Sequence, residues 1–170
     1  MILIRKTLVL LAIVTGLTSC SSEDSAPAPG GTTIPTPSAP LTGVPEVGEI
    51  EPNDVAMQAN PLTLVENAII VRGSVDSDRL NRGLDNEDYF SFTLNTEQTL
   101  TFNLLSTDPV ENDIDLYVYD ASGIEIARDT SRGGLPQISN QTLAAGVIWY
   151  VRVYAYATDA PVPYTLTITP

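Results

Sequence analysis

The pattern that most constrains the fold is a series of short segments in which apolar and polar residues alternate. In DYFSFTL, residues 88–94, the side chains of Phe90, Phe92 and Leu94 fall on one face. A period of two residues is typical of β-strands, whereas an amphipathic helix has a period near 3.6. Turn sequences such as Asp-Ala-Ser-Gly and Ala-Ala-Gly separate the segments. The pattern predicts strands at Ala68–Val75, Asp88–Leu94, Gln98–Leu104, Asp113–Asp120, Ile124–Arg128, Gln137–Leu143, Val147–Tyr156 and Tyr164–Thr169.

These strands, with no convincing helix among them, predict an all-β fold. Short alternating strands joined by turns are typical of an antiparallel β-sandwich, here with about eight strands. Hydrophobic residues make up 43% of the 170 residues, which is enough to form a core. We therefore predict one folded domain at residues 49–170.

The first residues of the chain have the features of a targeting segment. Two basic residues precede an apolar run at residues 7–18, which is shorter than a membrane-spanning helix. The run ends in Leu-Thr-Ser-Cys, which resembles the lipobox of bacterial lipoproteins. The resemblance implies a signal peptide at residues 1–19 and a fatty acid such as palmitate on Cys20. The alternative is an ordinary secretory signal with an incidental cysteine. Ser21, in place of aspartate, favours the outer membrane or the cell surface.

Residues 20–48 form a predicted linker. They are rich in Pro, Ser, Thr, Gly and Ala and have no apolar periodicity, so they cannot bury a core. Their prolines favour an extended conformation with a rise of roughly 3 Å per residue, which gives a reach of up to about 80 Å. Such a tether would hold the domain away from a membrane.

Charge and composition exclude several classes of function. After Cys20 the chain has six arginines, no lysine and 21 acidic residues, which gives a net charge of −15. This charge repels phosphate backbones and excludes nucleic acid as a partner, although solubility alone explains an acidic surface. The chain lacks histidine, and Cys20 is its one cysteine, so His-based triads, His-ligated zinc and disulfides are impossible. Because nothing selects one acid–base pair among many carboxylates, we expect no enzymatic activity.

The segment EIEPNDV, residues 49–55, concentrates oxygen-bearing side chains. Ca²⁺ is bound by six to eight oxygen ligands from carboxylates, amides and carbonyls. A D-x-x-D pair at the start of the strand at residues 88–94 is the natural second source of ligands. The alternative is a solvated acidic arm. The calcium hypothesis assigns as ligands Glu49, Glu51, Asn53, Asp54, Asp85 and Asp88.

The segment Val147–Tyr156 predicts a second functional surface. One face of this strand carries Trp149, Val151, Val153 and Ala155, and these residues are expected in the core. Tyrosine and arginine are common in binding hot spots because they combine a large contact area with a polar group. The alternative is that the tyrosines simply cover a sheet face. The predicted ligand-binding residues are Tyr150, Arg152, Tyr154 and Tyr156.

The order of these motifs along the chain resembles the bacterial pre-peptidase C-terminal (PPC) domain family. The motifs are EPND at 51–54, Gly-Ser at 73–74, DNEDYFSF at 85–92, DIDLYVYDASG at 113–123, AAGVIWYVRVYAY at 144–156 and PYTLTI at 163–168. The resemblance implies a jelly-roll-like β-sandwich that binds or assists and does not catalyse.

The collagen-binding domains of clostridial collagenases are similar to this family, and the resemblance extends to particular residues. In those domains an acidic segment, a D-x-x-D-Y pair and a serine after glycine form a calcium site, which adds Ser74 to the ligands. Tyrosines at the positions of Tyr154 and Tyr156 contact the ligand. The long loop after Ser74 contains Asp76 and Asp78, which either adds a ligand or displaces the site.

The sequence therefore favours a lipid-anchored, calcium-stabilised binding module of the cell envelope. Its ligand would be an extracellular protein or polysaccharide. The alternative is a structural or accessory envelope subunit, or a spacer, that assists a secreted enzyme and has no ligand of its own. A third hypothesis is a hydrolase that uses one of the acid pairs.

Overall fold

The computed structural model describes residues 43–77, 85–107, 112–132, 135–158 and 160–170. These residues form ten strands and one turn of 3₁₀ helix at Ala56–Gln58. The strands are β1 (Glu46–Gly48), β2 (Asn60–Pro61), β3 (Ile69–Val75), β4 (Glu87–Thr93), β5 (Gln98–Ser106), β6 (Asp113–Tyr119), β7 (Glu125–Asp129), β8 (Gln137–Leu143), β9 (Ile148–Ala157) and β10 (Val162–Thr169).

The part of the chain that the structure describes has ten strands, not about eight. The predicted strands correspond to β3 through β10, while β1 and β2 are only three and two residues long. Strands this short cannot show a two-residue period, and each joins the edge of a sheet by parallel pairing, β1 with β3 and β2 with β4. β1 also lies in the segment predicted as linker, so sheet pairing begins before residue 49.

Two five-stranded sheets form the sandwich. Sheet A has the order β1-β3-β10-β5-β8, and sheet B has the order β2-β4-β9-β6-β7. Strands β3 to β10 pair in antiparallel fashion within each sheet. From β1 to β6, consecutive strands alternate between the sheets, and β6 and β7 are consecutive strands that pair with each other. This arrangement confirms the antiparallel, jelly-roll-like sandwich.

The core lies between the two sheets and is formed by the inward-facing residues of each strand. Phe90, Phe102, Leu116 and Leu166 are fully buried. On β9 the predicted inward set is confirmed, because Trp149, Val151, Val153 and Ala155 are all buried. Burial of this set fixes the alternate residues of β9 on the outer face of sheet B.

In the described part of the chain, no helix is long and apolar enough to cross a membrane.

Candidate functional site

The segment at residues 49–54 connects the two sheets at one end of the sandwich. The backbone N–H of Glu49 donates to a carbonyl of β3 at 2.9 Å, which extends the pairing of β1. The carbonyl of Asn53 accepts from the N–H of Tyr89 in β4, also at 2.9 Å. Between them, the side-chain amide of Asn60 binds the N–H and C=O of Ile50 at 2.6 and 2.8 Å. The segment is therefore held to sheet A, to sheet B and to the start of β2.

This segment and the start of β4 bring five carboxylates together, which we call the acidic cluster: Glu49, Glu51, Asp54, Asp85 and Asp88. Oxygens of Glu49, Glu51 and Asp88 lie within 4.8 Å of one another, and so do oxygens of Glu51, Asp54 and Asp85. Two ligands of one Ca²⁺ ion, each bound at roughly 2.4 Å, are at most about 5 Å apart. Both groups have the spacing of ligands around a calcium ion, and Glu51 belongs to both.

Asn53 lies beside the acidic cluster and is 0% exposed. One atom of its side-chain amide lies 3.1 and 3.0 Å from the two carboxylate oxygens of Glu51 and 3.2 Å from Oδ1 of Asp88. With nitrogen at this position, the amide donates hydrogen bonds to both carboxylates. With oxygen there, it adds a neutral ligand to a set of converging oxygens. The same side chain fits the cluster with or without a cation.

Three residues of β3 and β10 hold Glu49 and Asp88 in place. The N–H of Ser74 donates to Oε1 of Glu49 at 2.8 Å, and the hydroxyl of Tyr164 lies 3.1 Å from Oε2. The same hydroxyl donates to Oδ2 of Asp88. A methyl group on Gly73 would overlap both the Glu49 carboxylate and the Tyr164 hydroxyl. Gly73 thus provides the space in which these two side chains meet.

Burial and mutual repulsion raise the pKa values of three carboxyls of the cluster. Burial, together with the charges of Glu51, Asp54 and Glu49, raises the pKa of Asp85 to about 7. Burial and a hydrogen bond with Glu49 raise the pKa of Asp88 to about 9. Burial also raises the pKa of Glu51. Oδ1 of Asp85 is buried and has no hydrogen-bond partner among the described residues. A bound cation would offset the repulsion and supply the missing partner.

All seven residues predicted as calcium ligands lie at or beside this cluster. Ser74 takes part through its backbone N–H. The backbone N–H of Asp76 donates to the carbonyl of Asp85, so the start of the long loop positions a cluster residue. Asp78 lies outside the described residues, as do Cys20 and the predicted signal peptide.

The sequence analysis did not identify Tyr164 as part of the site. The signal was available, because the hydroxyl of an inward-facing tyrosine needs a hydrogen-bond partner.

On the outer face of sheet B, Arg152 is the centre of an aromatic cluster. Its guanidinium lies 4.4 Å from the ring centre of Tyr154, 5.1 Å from Tyr117 and 5.9 Å from Tyr89. It also forms an ion pair with Glu87 at 2.9 Å. Cation–π contacts at these distances stabilise a partly buried arginine. The side chain of Arg152 is therefore already engaged within the protein.

The other two predicted binding residues lie at opposite ends of this cluster. Tyr156 is 65% exposed. Tyr150 lines a cavity of about 370 Å³, which Tyr89 and Tyr119 also line. Sequence reasoning placed Tyr119 on the outer face but did not connect it with Tyr150. The register shows the connection, because Tyr119 of β6 lies directly opposite Tyr150 of β9.

Comparison with known proteins supports the same type of domain. Residues 86–155 match the family model of the bacterial pre-peptidase C-terminal domain. The matched residues include Asp88 and the outer-face residues of β4, of β6 and of β9 as far as Tyr154, and they amount to less than half of the chain. No curated protein matches the sequence.

Three solved structures resemble the fold. The pre-peptidase C-terminal domain of a collagenase from Bacillus anthracis is 17% identical, with a TM-score of 0.51 over 71% of this chain and 100% of that one. The periplasmic g-type lysozyme inhibitor PliG of Aeromonas hydrophila is 16% identical, with a TM-score of 0.42 over 65% and 94%. The Yersinia pseudotuberculosis-derived mitogen is 17% identical, with a TM-score of 0.46 over 62% and 86%. The first likeness shows a common fold.

Proposed function

We propose that this protein is a lipid-anchored, non-catalytic binding module of the bacterial cell envelope, with a PPC-type domain stabilised by calcium. Its ligand is an extracellular protein or polysaccharide bound on the outer face of sheet B. The family match over residues 86–155 supports the domain type. The sequence Leu-Thr-Ser-Cys at residues 17–20 supports export and a lipid on Cys20.

The observation that carries the calcium proposal is the convergence of carboxylate oxygens around Glu51, beside the buried Oδ1 of Asp85, which has no hydrogen-bond partner among the described residues. A fully buried amide lies about 3 Å from three oxygens of Glu51 and Asp88. Such a set offers only oxygen ligands and a large negative charge, which suits Ca²⁺ and excludes metals that require nitrogen or sulfur ligands. Mg²⁺ fits less well because it demands octahedral geometry and shorter bonds.

Calcium at this position would stabilise the fold by fixing one segment to both sheets. Glu49 is held by β3 and β10, whereas Asp88 lies at the start of β4 and Asp85 lies two residues before that strand. An ion shared by these carboxylates would join sheet A to sheet B at the end of the sandwich where the polypeptide enters it. The role assigned to calcium is structural, because the ion would lie between segments that belong to the two sheets.

Thermal unfolding in calcium and in chelator tests this proposal. Extracellular calcium modules have Kd values on the order of 10⁻⁴ M, so about 10 mM CaCl₂ is roughly 100-fold above Kd. Binding only to the folded state then adds about 2.7 kcal/mol. For a domain of this size, that corresponds to a rise in Tm of roughly 10 °C. EDTA should reverse the rise, and magnesium at the same concentration should produce a smaller one.

Glu97→Gln is a matched control, because Glu97 is an exposed acid in the turn between β4 and β5. It should keep the full calcium response. Identical unfolding curves for the unmodified protein in calcium and in EDTA would refute the calcium proposal. Calorimetric titration gives the number of ions, which distinguishes one site from a pair bridged by Glu51.

The lipid anchor has a separate test. Metabolic labelling with an alkyne-tagged palmitate should label the unmodified protein in its bacterial host and should not label Cys20→Ser. The Ser22→Ala variant serves as the control that keeps the label. Equal labelling of the unmodified protein and Cys20→Ser would refute acylation at Cys20.

A further inference from the structure

Two cavities of similar size flank the turn Asp120–Gly123, which joins β6 to β7. The first, of about 370 Å³, lies between this turn, the 3₁₀ helix and the rings of Tyr89, Tyr119 and Tyr150. The second, of about 380 Å³, lies between the turn and the β8–β9 connection and is lined by Trp149. Ala121 and Ser122 line both cavities, which therefore adjoin at this turn, and we call the pair the turn groove.

The lining of the turn groove is largely aromatic and apolar, with Asp120 as the one carboxylate among its described lining residues. Oδ1 of Asp120 is already occupied. That oxygen accepts from N and Oγ of Ser122 at 2.8 and 2.6 Å and from N of Ile124 at 2.9 Å. The remaining polar groups are hydroxyls of tyrosine and serine. Aromatic rings with a few hydroxyls are typical of sites for small or narrow ligands.

Charge narrows the class of ligand further. The chain has a net charge of −13, which disfavours an anionic polymer. A cationic ligand is also disfavoured, because Arg152 already lies over Tyr89, one of the groove tyrosines. Glu87 is paired with this arginine and is therefore not free to bind a cationic ligand. A neutral ligand meets neither electrostatic penalty.

The shape of the groove favours a narrow chain over a folded protein surface. Tyr89, Tyr119 and Tyr150 are only partly exposed, and Trp149 is 8% exposed, so the rings are recessed. A stable protein interface usually covers about 800 Å² on each partner and has a broad apolar centre. Two cavities of nearly equal volume on either side of one turn instead suit consecutive units of a polymer.

We propose that the turn groove binds a neutral polysaccharide, with one sugar ring stacked on the tyrosines of the first cavity and a neighbouring sugar in the second cavity, beside Trp149. This inference rests on the proposed binding function. It moves the centre of the proposed ligand-binding surface from Tyr156 toward Tyr150. The C–H faces of a sugar ring pack on aromatic rings, and its hydroxyls can bond with Ser122 and the tyrosine hydroxyls.

Trp149 provides a direct test because it is the single tryptophan of the chain. Its indole N–H donates to the carbonyl of Ala144 at 3.0 Å, which fixes the ring beside the groove. The full chain, in mild detergent with 10 mM CaCl₂, is titrated with cellohexaose, mannohexaose, chitohexaose and the anionic hexagalacturonate. At least one neutral hexasaccharide should shift or quench the emission of Trp149 in a saturable manner, and hexagalacturonate should not.

Two variants locate the binding site. Tyr150→Ala should weaken binding about tenfold or more, and Ala121→Phe should abolish it by filling the wall that both cavities share. Leu105→Ala, an exposed apolar residue on sheet A, should bind as the unmodified protein does. Circular dichroism confirms that each variant is folded.

Three results would overturn the proposal: no response to any neutral hexasaccharide, unchanged binding by both groove variants, or a response only to a proline-rich peptide such as (Pro-Pro-Gly)₁₀. The last result would retain a binding module with a protein ligand. Loss of the calcium effect on Tm, by contrast, would refute the calcium proposal and leave the groove assignment intact. The two failures are therefore distinguishable.

Discussion

Replacement of Asp88 by asparagine removes a buried carboxyl group that is costly to ionise in the calcium-free protein. The same change removes a charged ligand of the proposed calcium ion. Asp88 is 0% exposed, and burial and its hydrogen bond with Glu49 raise its pKa from 3.8 to about 9. Between these two pH values the folded protein without calcium holds a proton that the unfolded chain has lost. Because the unfolded state binds fewer protons, the free energy of unfolding falls as pH rises through this interval.

The slope of this fall is about 1.4 kcal/mol per pH unit for one group. From pH 5 to pH 7, Asp88 therefore lowers the stability of the calcium-free protein by up to roughly 3 kcal/mol. The asparagine of the Asp88→Asn variant stays neutral at every pH, and its amide can still donate to Glu49 and accept from Tyr164. At pH 7 in EDTA we expect Asp88→Asn to be more stable than the unmodified protein by about 2 kcal/mol, or roughly 8 °C in Tm.

Calcium should reverse this order. The ion binds the ionised carboxylate, so the unmodified protein regains stability in 10 mM CaCl₂, whereas Asp88→Asn lacks a charged ligand and responds weakly. The assay is thermal unfolding followed by circular dichroism at pH 5, 6, 7 and 8, in EDTA and in calcium. Glu97→Gln is the control for the loss of one negative charge. Parallel pH profiles of Tm for Asp88→Asn and the unmodified protein in EDTA would contradict a raised pKa of Asp88 in the folded protein.

The remaining predictions concern the supports of the two clusters and are measured by thermal or urea unfolding. Gly73→Ala should lose about 2 kcal/mol and most of its calcium response, because its methyl group would displace a carboxylate; Gly48→Ala, with open space around it, should be nearly neutral. Tyr164→Phe removes the donor to two carboxylates and should cost about 1–2 kcal/mol in EDTA; an unchanged Tm would show that the bond is dispensable. Arg152→Met breaks a partly buried ion pair and three ring contacts, and should cost about 2 kcal/mol. Arg128→Met, which breaks an exposed pair at 3.6 Å, should cost under about 0.5 kcal/mol; equal losses for the two arginine variants would contradict this ranking.

The two-residue period predicted the long strands because burial acts on one face at a time. On β9 the inward residues from Trp149 to Ala155 are all buried, which follows from their alternation with tyrosine and arginine. β1 and β2 were not predicted, because strands of three and two residues are too short to show an alternation of apolar and polar residues. Their backbone hydrogen bonds, not their side chains, place them in the sheets.

Proximity between distant segments was harder to predict than local structure. Acidic residues at 49–54 and 85–88 could be paired because both have the composition of a cation site. The role of Tyr164 depends on β10 lying next to β3, and strand order cannot be read from alternation. The same limit applies to the turn groove, where Tyr150 and Tyr119 become neighbours only because β9 pairs with β6.

The acidic cluster and the turn groove share one stretch of backbone, which suggests how they would act together. The segment that supplies Glu51, Asn53 and Asp54 continues directly into the 3₁₀ helix, where Ala56 and Met57 form one wall of the first cavity. Met57 is 96% exposed, so packing against the core does not fix this wall. The backbone N–H of Tyr89 donates to the carbonyl of Asn53, one residue before the last carboxylate of the segment, and so holds the segment to β4 near this point. An ion bound by the cluster would restrict the segment further and reduce the entropy lost when a ligand meets that wall. Calcium would then act on ligand affinity through chain order, with no calcium–ligand contact.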